Sequence, residues 1–258
     1  MTTHTMTVDG IGPVEVSMAD RGTGRPILLL HGGAGPQSVG GFAQLLADRH
    51  PVHVYTPTHP GFVGTSRPER LSSVAQLAQV YARLLDQLDL SDVTVIGNSI
   101  GGWIASELAL FDGHRLKNVV LVDAVGIDVA GHPIADFFHL SLDEVAQRSY
   151  HDPGAFPINI ATLTDQQKAG MAANRATLAV YSGPSMADTT LRGRLAQIAV
   201  PTLVVWGESD RIVEPDYGRA WAAAIPHARF LLLPGAGHLP QIETPTPLLD
   251  AIWSFGGP

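Results

Sequence analysis

The sequence contains no cysteine, so it can form neither disulfide bonds nor thiolate metal sites, and it has no cysteine nucleophile. Basic residues are also few: 16 lysines and arginines stand against 24 aspartates and glutamates, a formal net charge of −8. Such a surface repels the phosphate backbone of nucleic acids and anionic membranes. We therefore expect neither nucleic acid nor a membrane as a partner.

Long apolar runs are lacking as well. Stretches such as "PILLL" and "FLLLP" are far too short to span a bilayer, and the N-terminal "MTTHTMTVDGIG" lacks the basic and apolar regions of a signal peptide. The composition, 45% hydrophobic and 16% charged, is typical of a globular chain. We expect a soluble, cytoplasmic protein, because a reducing compartment suits a chain without cysteine.

Short apolar runs alternate with helical patterns along most of the 258 residues. Runs such as "RPILLLHGG", "VTVIGNS" and "PTLVVWGESD" predict buried strands, whereas three- and four-residue apolar spacing in "SVAQLAQVYARLLDQLDL" predicts an amphipathic helix. This alternation is typical of βαβ units around a mostly parallel sheet. Residues 128–197 have helical patterns but no strand-like run, which predicts a helical insertion between two strands.

A serine stands between glycines where one predicted strand becomes a helix, in "VIGNSIGGW". Ligands of open α/β sheets bind beyond the carboxyl ends of the strands, and Ser99 falls at such an end. A sharp turn there would hold its side chain clear of the sheet, and Gly97 and Gly101 would leave room for that turn. The motif predicts either a nucleophile or a simple helix cap.

A serine hydroxyl needs a general base, which in turn needs a carboxylate to orient it. "GAGHLPQIETP" places His238 in a loop after a strand, and "LVVWGESDRIVEP" places Asp210 after another. The order Ser99, Asp210, His238 is the one expected for this architecture. Asp123, at the end of "VVLVD", is the competing acid, and position favours Asp210.

Acyl transfer also needs hydrogen-bond donors for the oxyanion that forms. The loop "HGGAGP" follows a buried strand and has few side chains, so its backbone can approach a substrate closely. We expect the backbone N–H of Gly33 or Ala34 to act together with that of Ile100. The loop lacks the Lys-Ser/Thr of a phosphate-binding P-loop.

Taken together, "HGGAGP", "YTPTHPGFVGTSRP", "VIGNSIGGW", "PTLVVWGESDRIVEP" and "GAGHLPQIETP" resemble the α/β-hydrolase superfamily. The resemblance implies an α/β fold with an eight-stranded, mostly parallel sheet flanked by helices. It implies a core of residues 1–127 and 198–258 and a helical lid, 128–197, inserted after the sixth strand. It also implies Ser99 as nucleophile, His238 as base, Asp210 as acid, and the backbone of Gly33 or Ala34 and Ile100 as oxyanion hole.

The branch within the superfamily is left open by the motifs. "GNSIGG" with "HGGAGP" is similar to the meta-cleavage-product hydrolases, which split a carbon–carbon bond, but those usually carry a tryptophan after the catalytic histidine, where this chain has Leu239. Arg175 is a candidate for their lid arginine or an ordinary surface charge. His59 stands where relatives often have aspartate, and we interpret it as structural or as lining the entrance.

We therefore predict a serine hydrolase that cleaves a small carboxylic ester or related acyl compound through an acyl-enzyme. The alternatives are hydrolysis of a carbon–carbon bond in ring-fission products and a non-catalytic small-ligand receptor. No cofactor and no metal is implied, the partner is a small-molecule substrate, and a homodimer is one alternative for the oligomeric state. Trp103, Phe137 and Phe138 are candidates for lining an apolar pocket, with plain core packing as the alternative.

Overall fold

The computed structural model describes residues 1–156 and 162–256. Eight strands form one sheet in the order β1-β2-β4-β3-β5-β6-β7-β8. Their bounds are β1 Thr2–Val8, β2 Gly12–Gly22, β3 Arg25–Leu30, β4 Val52–Pro57, β5 Val93–Asn98, β6 Leu116–Val122, β7 Thr202–Gly207 and β8 Arg229–Leu233. β2 runs antiparallel to both β1 and β4, and every other pair is parallel. The predicted eight-stranded, mostly parallel sheet is confirmed.

The central strands are apolar on both faces because helices cover both sides of the sheet. In β3, Ile27 and Leu29 belong to one core cluster, whereas Leu28 and Leu30 belong to the other. Successive side chains of a strand point to opposite faces, so a continuous apolar run fills two cores at once. This explains the uninterrupted "ILLL" of the sequence.

Six helices of the described chain pack around this sheet and place its loops. They are α1 Gln37–Arg49, α2 Val74–Gln87, α3 Ile100–Asp112, α7 Pro215–Ala224, α8 Pro240–Glu243 and α9 Pro245–Gly256. α1 and α9 contribute to one core cluster, and α2, α3 and α7 contribute to the other. No helix of the described residues is both long and apolar enough to cross a membrane.

Three further α-helices of the described chain lie between β6 and β7: α4 Leu142–Ser149, α5 Asp165–Ser182 and α6 Leu191–Arg194. α4 and α5 both begin with a capping box, formed by Ser141 with Glu144 and by Thr164 with Gln167. Within the described part of this segment, no residue belongs to a strand of the sheet. Pro157 of the predicted insertion lies outside the described residues.

Candidate active site

Ser99 sits at a strained turn between β5 and α3. Its backbone has φ 56° and ψ −121°, a conformation that costs a non-glycine residue about 1–3 kcal/mol. The turn is held because the Ser99 N–H donates to the Val122 carbonyl at 3.0 Å and the Ser99 carbonyl accepts from Gly102 at 2.9 Å. The surrounding backbone thus fixes the serine at the carboxyl end of the central parallel strands.

The two glycines that flank this turn are required by close backbone approach. A Cβ at Gly97 would overlap the carbonyl of Gly101, and a Cβ at Gly101 would overlap the carbonyl of Leu30. Each overlap is with backbone, which cannot swing away as a side chain can. The spacing seen in the sequence therefore has a steric cause.

The predicted base and acid are paired. His238, in the loop between β8 and α8, donates from Nδ1 to Asp210 Oδ2 at 2.8 Å. The other Asp210 oxygen accepts the backbone N–H groups of Ile212 and Val213 at 2.8 and 3.1 Å. With its proton on Nδ1, the neutral imidazole carries its lone pair on Nε2, as a general base requires.

An amide side chain, which sequence reasoning missed, joins the serine strand to the histidine loop. Asn98 donates from Nδ2 to the His238 carbonyl at 3.0 Å and to the Val122 carbonyl at 3.2 Å, while its Oδ1 accepts from Gln241 at 3.1 Å. Asn98 directly precedes Ser99, so the contact fixes the relative position of the two loops. A polar residue ending the apolar run "VTVIG" was the available signal.

Ser99 and His238 line one cavity of about 360 Å³, together with Gly33 and Ala34 of the loop after β3. Within residues 1–156 and 162–256 the Ser99 hydroxyl has no hydrogen-bond partner. Catalytic hydrogen bonds of this type are often long before substrate binds and tighten in the complex. The cavity therefore brings together the predicted nucleophile, base and oxyanion loop at one opening.

The wall of the cavity is mainly apolar and is built largely by the segment between β6 and β7. Its apolar side chains are Phe137, Leu142, Val145, Ala146, Met171, Leu178, Met186, Ile212, Leu239 and Ile242. Trp103 and Phe138, predicted as pocket candidates, do not line it: Trp103 is buried in the core against Gly126, and Phe138 packs edge-on against Phe137. Burial and aromatic character alone could not distinguish core from cavity.

The predicted oxyanion donors occupy suitable positions. Ile100 is the first residue of α3, where the N–H has no acceptor within the helix. In the described chain no backbone acceptor pairs with the N–H groups of Gly33 and Ala34. Leu178 packs so closely on Gly33 that a Cβ there would lie 2.8 Å from its Cδ2. The glycine thus lets α5 pack directly over the loop.

Two fully buried histidines, His31 and His59, are hydrogen-bonded to each other at the start of the loop that follows β3. The His59 N–H donates to His31 Nε2 at 3.1 Å, and His59 Nε2 donates to the His31 carbonyl at 2.9 Å. His59 Nδ1 then accepts from the Tyr81 hydroxyl. This pattern assigns neutral tautomers to both rings. His59 is therefore structural, one of the two interpretations that the sequence left open, and it does not line the cavity.

Burial keeps both rings uncharged over a wide pH range. Desolvation lowers the pKa of His59 to about 4, and desolvation followed by the neighbouring His59 lowers the pKa of His31 well below its usual value. In the unfolded chain a histidine titrates near 6.5. Between these two pKa values the histidine is protonated in the unfolded chain and neutral in the folded chain.

We expect the free energy of unfolding to decrease as the pH falls from 6.5 to about 4. The stabilisation from neutral His59 is complete above pH 6.5 and amounts to about 3 kcal/mol at most. Urea unfolding across this range measures it, with His59→Phe expected to show a shallower slope. A slope in His59→Phe as steep as in the wild type would contradict this expectation.

The last turn of α4 is hydrogen-bonded to the loops that carry His238 and Asp210. The Ser149 carbonyl accepts the His238 N–H at 2.6 Å, and the Arg148 carbonyl accepts the Arg211 N–H, next to Asp210, at 3.0 Å. Glu243 accepts the N–H of His151 through Oε1 at 2.8 Å and that of Gly237 through Oε2 at 2.6 Å. α4 is thus a fixed part of the site.

Among the described residues, one group of side chains has the spacing of metal ligands: Asp123, Asp210 and His238 place one ligand atom each within 4.8 Å of one another. His238 Nδ1 is already hydrogen-bonded to Asp210 Oδ2, and Asp210 Oδ1 already accepts two backbone N–H groups. These contacts suit a carboxylate that orients a histidine better than coordination of an ion.

A sheet of this order with a serine at a strained strand–helix turn defines an α/β hydrolase. The Alpha/beta hydrolase family matches residues 27–251, and the chain belongs to that family. This membership confirms the fold class and superfamily expected from the motifs, and it supports a hydrolytic activity.

Relatives that carry different hydrolase names are similar to this chain. Lipase 1 of Psychrobacter immobilis is 27% identical over 236 residues, which cover 85% of this chain and 73% of the lipase. The 2-hydroxy-6-oxo-6-phenylhexa-2,4-dienoate hydrolase of Burkholderia cepacia is 27% identical over 263 residues, covering 93% and 90%. A solved thermophilic esterase from Thermogutta terrifontis shares the fold, with a TM-score of 0.79, 23% identity and coverage of 99% and 98%.

Proposed function

We propose that the chain is a serine hydrolase that cleaves small, uncharged carboxylic esters through an acyl-enzyme. The observation that carries the proposal is the 2.8 Å pair between His238 Nδ1 and Asp210 Oδ2, at the cavity that Ser99 also lines. A base held by a carboxylate, at the cavity that the serine also lines, is the arrangement that activates serine.

In this mechanism Ser99 Oγ attacks the ester carbonyl carbon while His238 Nε2 takes the hydroxyl proton. The carbonyl oxygen becomes an oxyanion, which accepts hydrogen bonds from the N–H groups of Ile100 and of Gly33 or Ala34. His238 then gives its proton to the leaving alcohol as the carbon–oxygen bond breaks. A water molecule, deprotonated by the same histidine, attacks the acyl-enzyme, and the carboxylic acid leaves as Ser99 regains its proton.

The charge of the cavity supports an uncharged acyl group. Among the described residues that line it, Arg175 is the one side chain with a permanent charge, and its Nη2 donates to the carbonyls of Phe137 and Leu140, the latter at 2.8 Å. Its guanidinium also lies 5.1 Å from the centre of the Phe137 ring. An arginine held by the protein in this way suits a structural role.

The helices between β6 and β7 would act as a lid over this cavity, as residues 128–197 were expected to. α4 is hydrogen-bonded to the loops that carry His238 and Asp210. α5 is hydrogen-bonded to the loop after β4 through Asn174, Thr177 and Tyr181. Because Leu178 of α5 packs on Gly33, this lid would cover the loop that we propose binds the oxyanion.

Carbon–carbon bond hydrolysis is the second candidate, because a dienoate hydrolase is among the relatives. Such substrates are anionic, so this activity would need a cation free to bind a carboxylate. Arg175 is the candidate for it, and the contacts of its Nη2 with two carbonyls argue against that use. The two functions therefore predict opposite preferences for substrate charge.

The preference can be measured with p-nitrophenyl esters of similar size. We expect the butyrate to have a kcat/KM at least about tenfold above that of the hemisuccinate, because the apolar cavity disfavours a carboxylate. In Arg175→Gln this ratio should stay within about threefold of the wild-type value. Faster cleavage of the hemisuccinate, lost in Arg175→Gln, or turnover of a dienoate ring-fission analogue without esterase activity, would favour the second candidate.

A further inference from the structure

Asp123 is a buried carboxyl group that the proposed mechanism does not use. It follows β6 directly and is 0% exposed, with φ 48°, in the left-handed region that an aspartate rarely occupies. Its N–H donates to the Val205 carbonyl at 3.0 Å, which anchors the backbone between β6 and β7. The Asp123 side chain is thereby held next to the loop that carries Asp210.

The two oxygens of this carboxyl differ in their surroundings. Oδ1 accepts the Gly207 N–H at 2.8 Å. Oδ2 is buried and accepts no hydrogen bond from any donor of the described residues. An ionised carboxylate buried with one oxygen unpaired is costly, whereas a protonated oxygen can act as a donor if an acceptor is near.

The carboxylate of the proposed catalytic acid is an acceptor close to this carboxyl group. Asp123, Asp210 and His238 each place a side-chain oxygen or ring nitrogen within 4.8 Å of the others. Asp210 already accepts from Ile212, Val213 and His238, so it is the better stabilised anion. Two adjacent buried carboxyl groups cannot both ionise cheaply, and the proton therefore belongs on Asp123.

The direction in which the pKa of Asp123 is shifted agrees with this assignment of the proton. Burial raises the pKa of Asp123 well above its usual range, and the neighbouring Asp210 raises it further. Glu243 adds a smaller effect in the same direction, while the hydrogen bond from Gly207 opposes it. The charged and titratable groups that face Asp123 are thus Asp210, Glu243 and His238.

We propose that Asp123 is a neutral carboxylic acid whose Oδ2–H donates to the Asp210 carboxylate and so positions the acid beneath His238. The proposal rests on the proposed function, since it assigns Asp210 and His238 their catalytic roles. Asp123 touches no substrate in this account and is a positioning residue. Its proton stays in place throughout the reaction, while the proton in transit is carried by His238.

Two substitutions test the proposal through the pH profile of kcat/KM for p-nitrophenyl butyrate. Asp123→Asn keeps an acceptor for Gly207 and an N–H donor for Asp210, so activity should stay within about threefold, with the acid limb unmoved. Asp123→Leu removes the donor, so kcat should fall about tenfold and the acid limb should move to higher pH, because Asp210 becomes more basic and holds protonated His238 more strongly.

Other outcomes would overturn the proposal. If Asp123 were ionised, Asp123→Asn would remove a negative charge beside His238 and move the acid limb to lower pH. If Asp123 only filled space, the leucine variant would leave the acid limb where it is in the wild type.

Infrared difference spectroscopy at neutral pH tests the protonation state without relying on catalysis. The wild-type protein should show the carbonyl band of a buried protonated carboxyl, and Asp123→Asn should lack it. This spectrum remains informative if the leucine variant does not fold. A missing band in the wild type would refute the proposal, whereas a band in a protein without esterase activity would refute the proposed function and leave the neutral Asp123 in place.

Discussion

Replacing Ser99 with alanine should lower ester turnover by about ten-thousandfold to a million-fold, without unfolding the protein. The hydroxyl oxygen is the atom that forms the acyl bond, and His238 cannot compensate for its loss. The activity that remains would come from substrate binding and from the oxyanion donors. Relief of the strain at φ 56° should not be expected, because alanine has the same backbone restrictions as serine.

Ser106 provides the matched control for this experiment. It is a buried serine of α3, the helix that Ser99 precedes; its hydroxyl donates to the Gly102 carbonyl at 2.9 Å, and it does not line the cavity. Ser106→Ala should keep turnover within about threefold of the wild type. If Ser99→Ala kept more than a tenth of the wild-type rate, Ser99 would not be the nucleophile.

Replacing Asp210 with asparagine should reduce kcat by about a thousandfold to ten-thousandfold while KM changes little. The carboxylate accepts the Nδ1 proton of His238 at 2.8 Å, which keeps the lone pair on Nε2. An asparagine could present its amide N–H instead and favour the wrong tautomer, and it could not balance the charge of the imidazolium that forms. The loss should therefore appear in the chemical step.

Asp123→Asn is the variant to compare with Asp210→Asn. The two aspartates lie side by side, and only their positions in the sequence favoured Asp210 as the acid. The expected change of at most about threefold in Asp123→Asn contrasts with the loss in Asp210→Asn. Steady-state kinetics of both variants, with thermal unfolding to confirm that each is folded, measure the difference. A severe loss in Asp123→Asn with near wild-type turnover in Asp210→Asn would make Asp123 the catalytic acid.

The sheet was largely predictable because its central strands are short, apolar and bounded by glycine, patterns set by burial on both faces. β1 was not predicted: Thr2–Val8 is rich in threonine, and Met6 and Val8 are its two buried residues. β1 pairs with β2, and the sequence of one strand alone does not reveal its partner or the register of the pairing. The four-residue helix α6 is likewise too short to have a pattern of its own.

The candidate residues Ser99, Asp210 and His238 could be proposed from the sequence because each follows a strand, where local sequence marks a turn. The contacts around them could not be predicted, since they run between segments far apart in the chain. Asn98 reaches the His238 carbonyl across 140 positions, and α4 contacts the loops that carry His238 and Asp210. Trp103 and Phe138 were misplaced for the same reason: hydrophobicity predicts burial, while the packing of α4 and α5 decides which buried faces form the cavity.

The central claim is that Ser99 becomes covalently attached to the reacting group, and mass spectrometry after treatment with a fluorophosphonate tests it most directly. The account predicts a single phosphonyl group on the peptide that contains Ser99, slower labelling in Asp210→Asn and no labelling in Ser99→Ala. Absence of the adduct from folded wild-type protein, or an adduct on a different residue, would contradict the account.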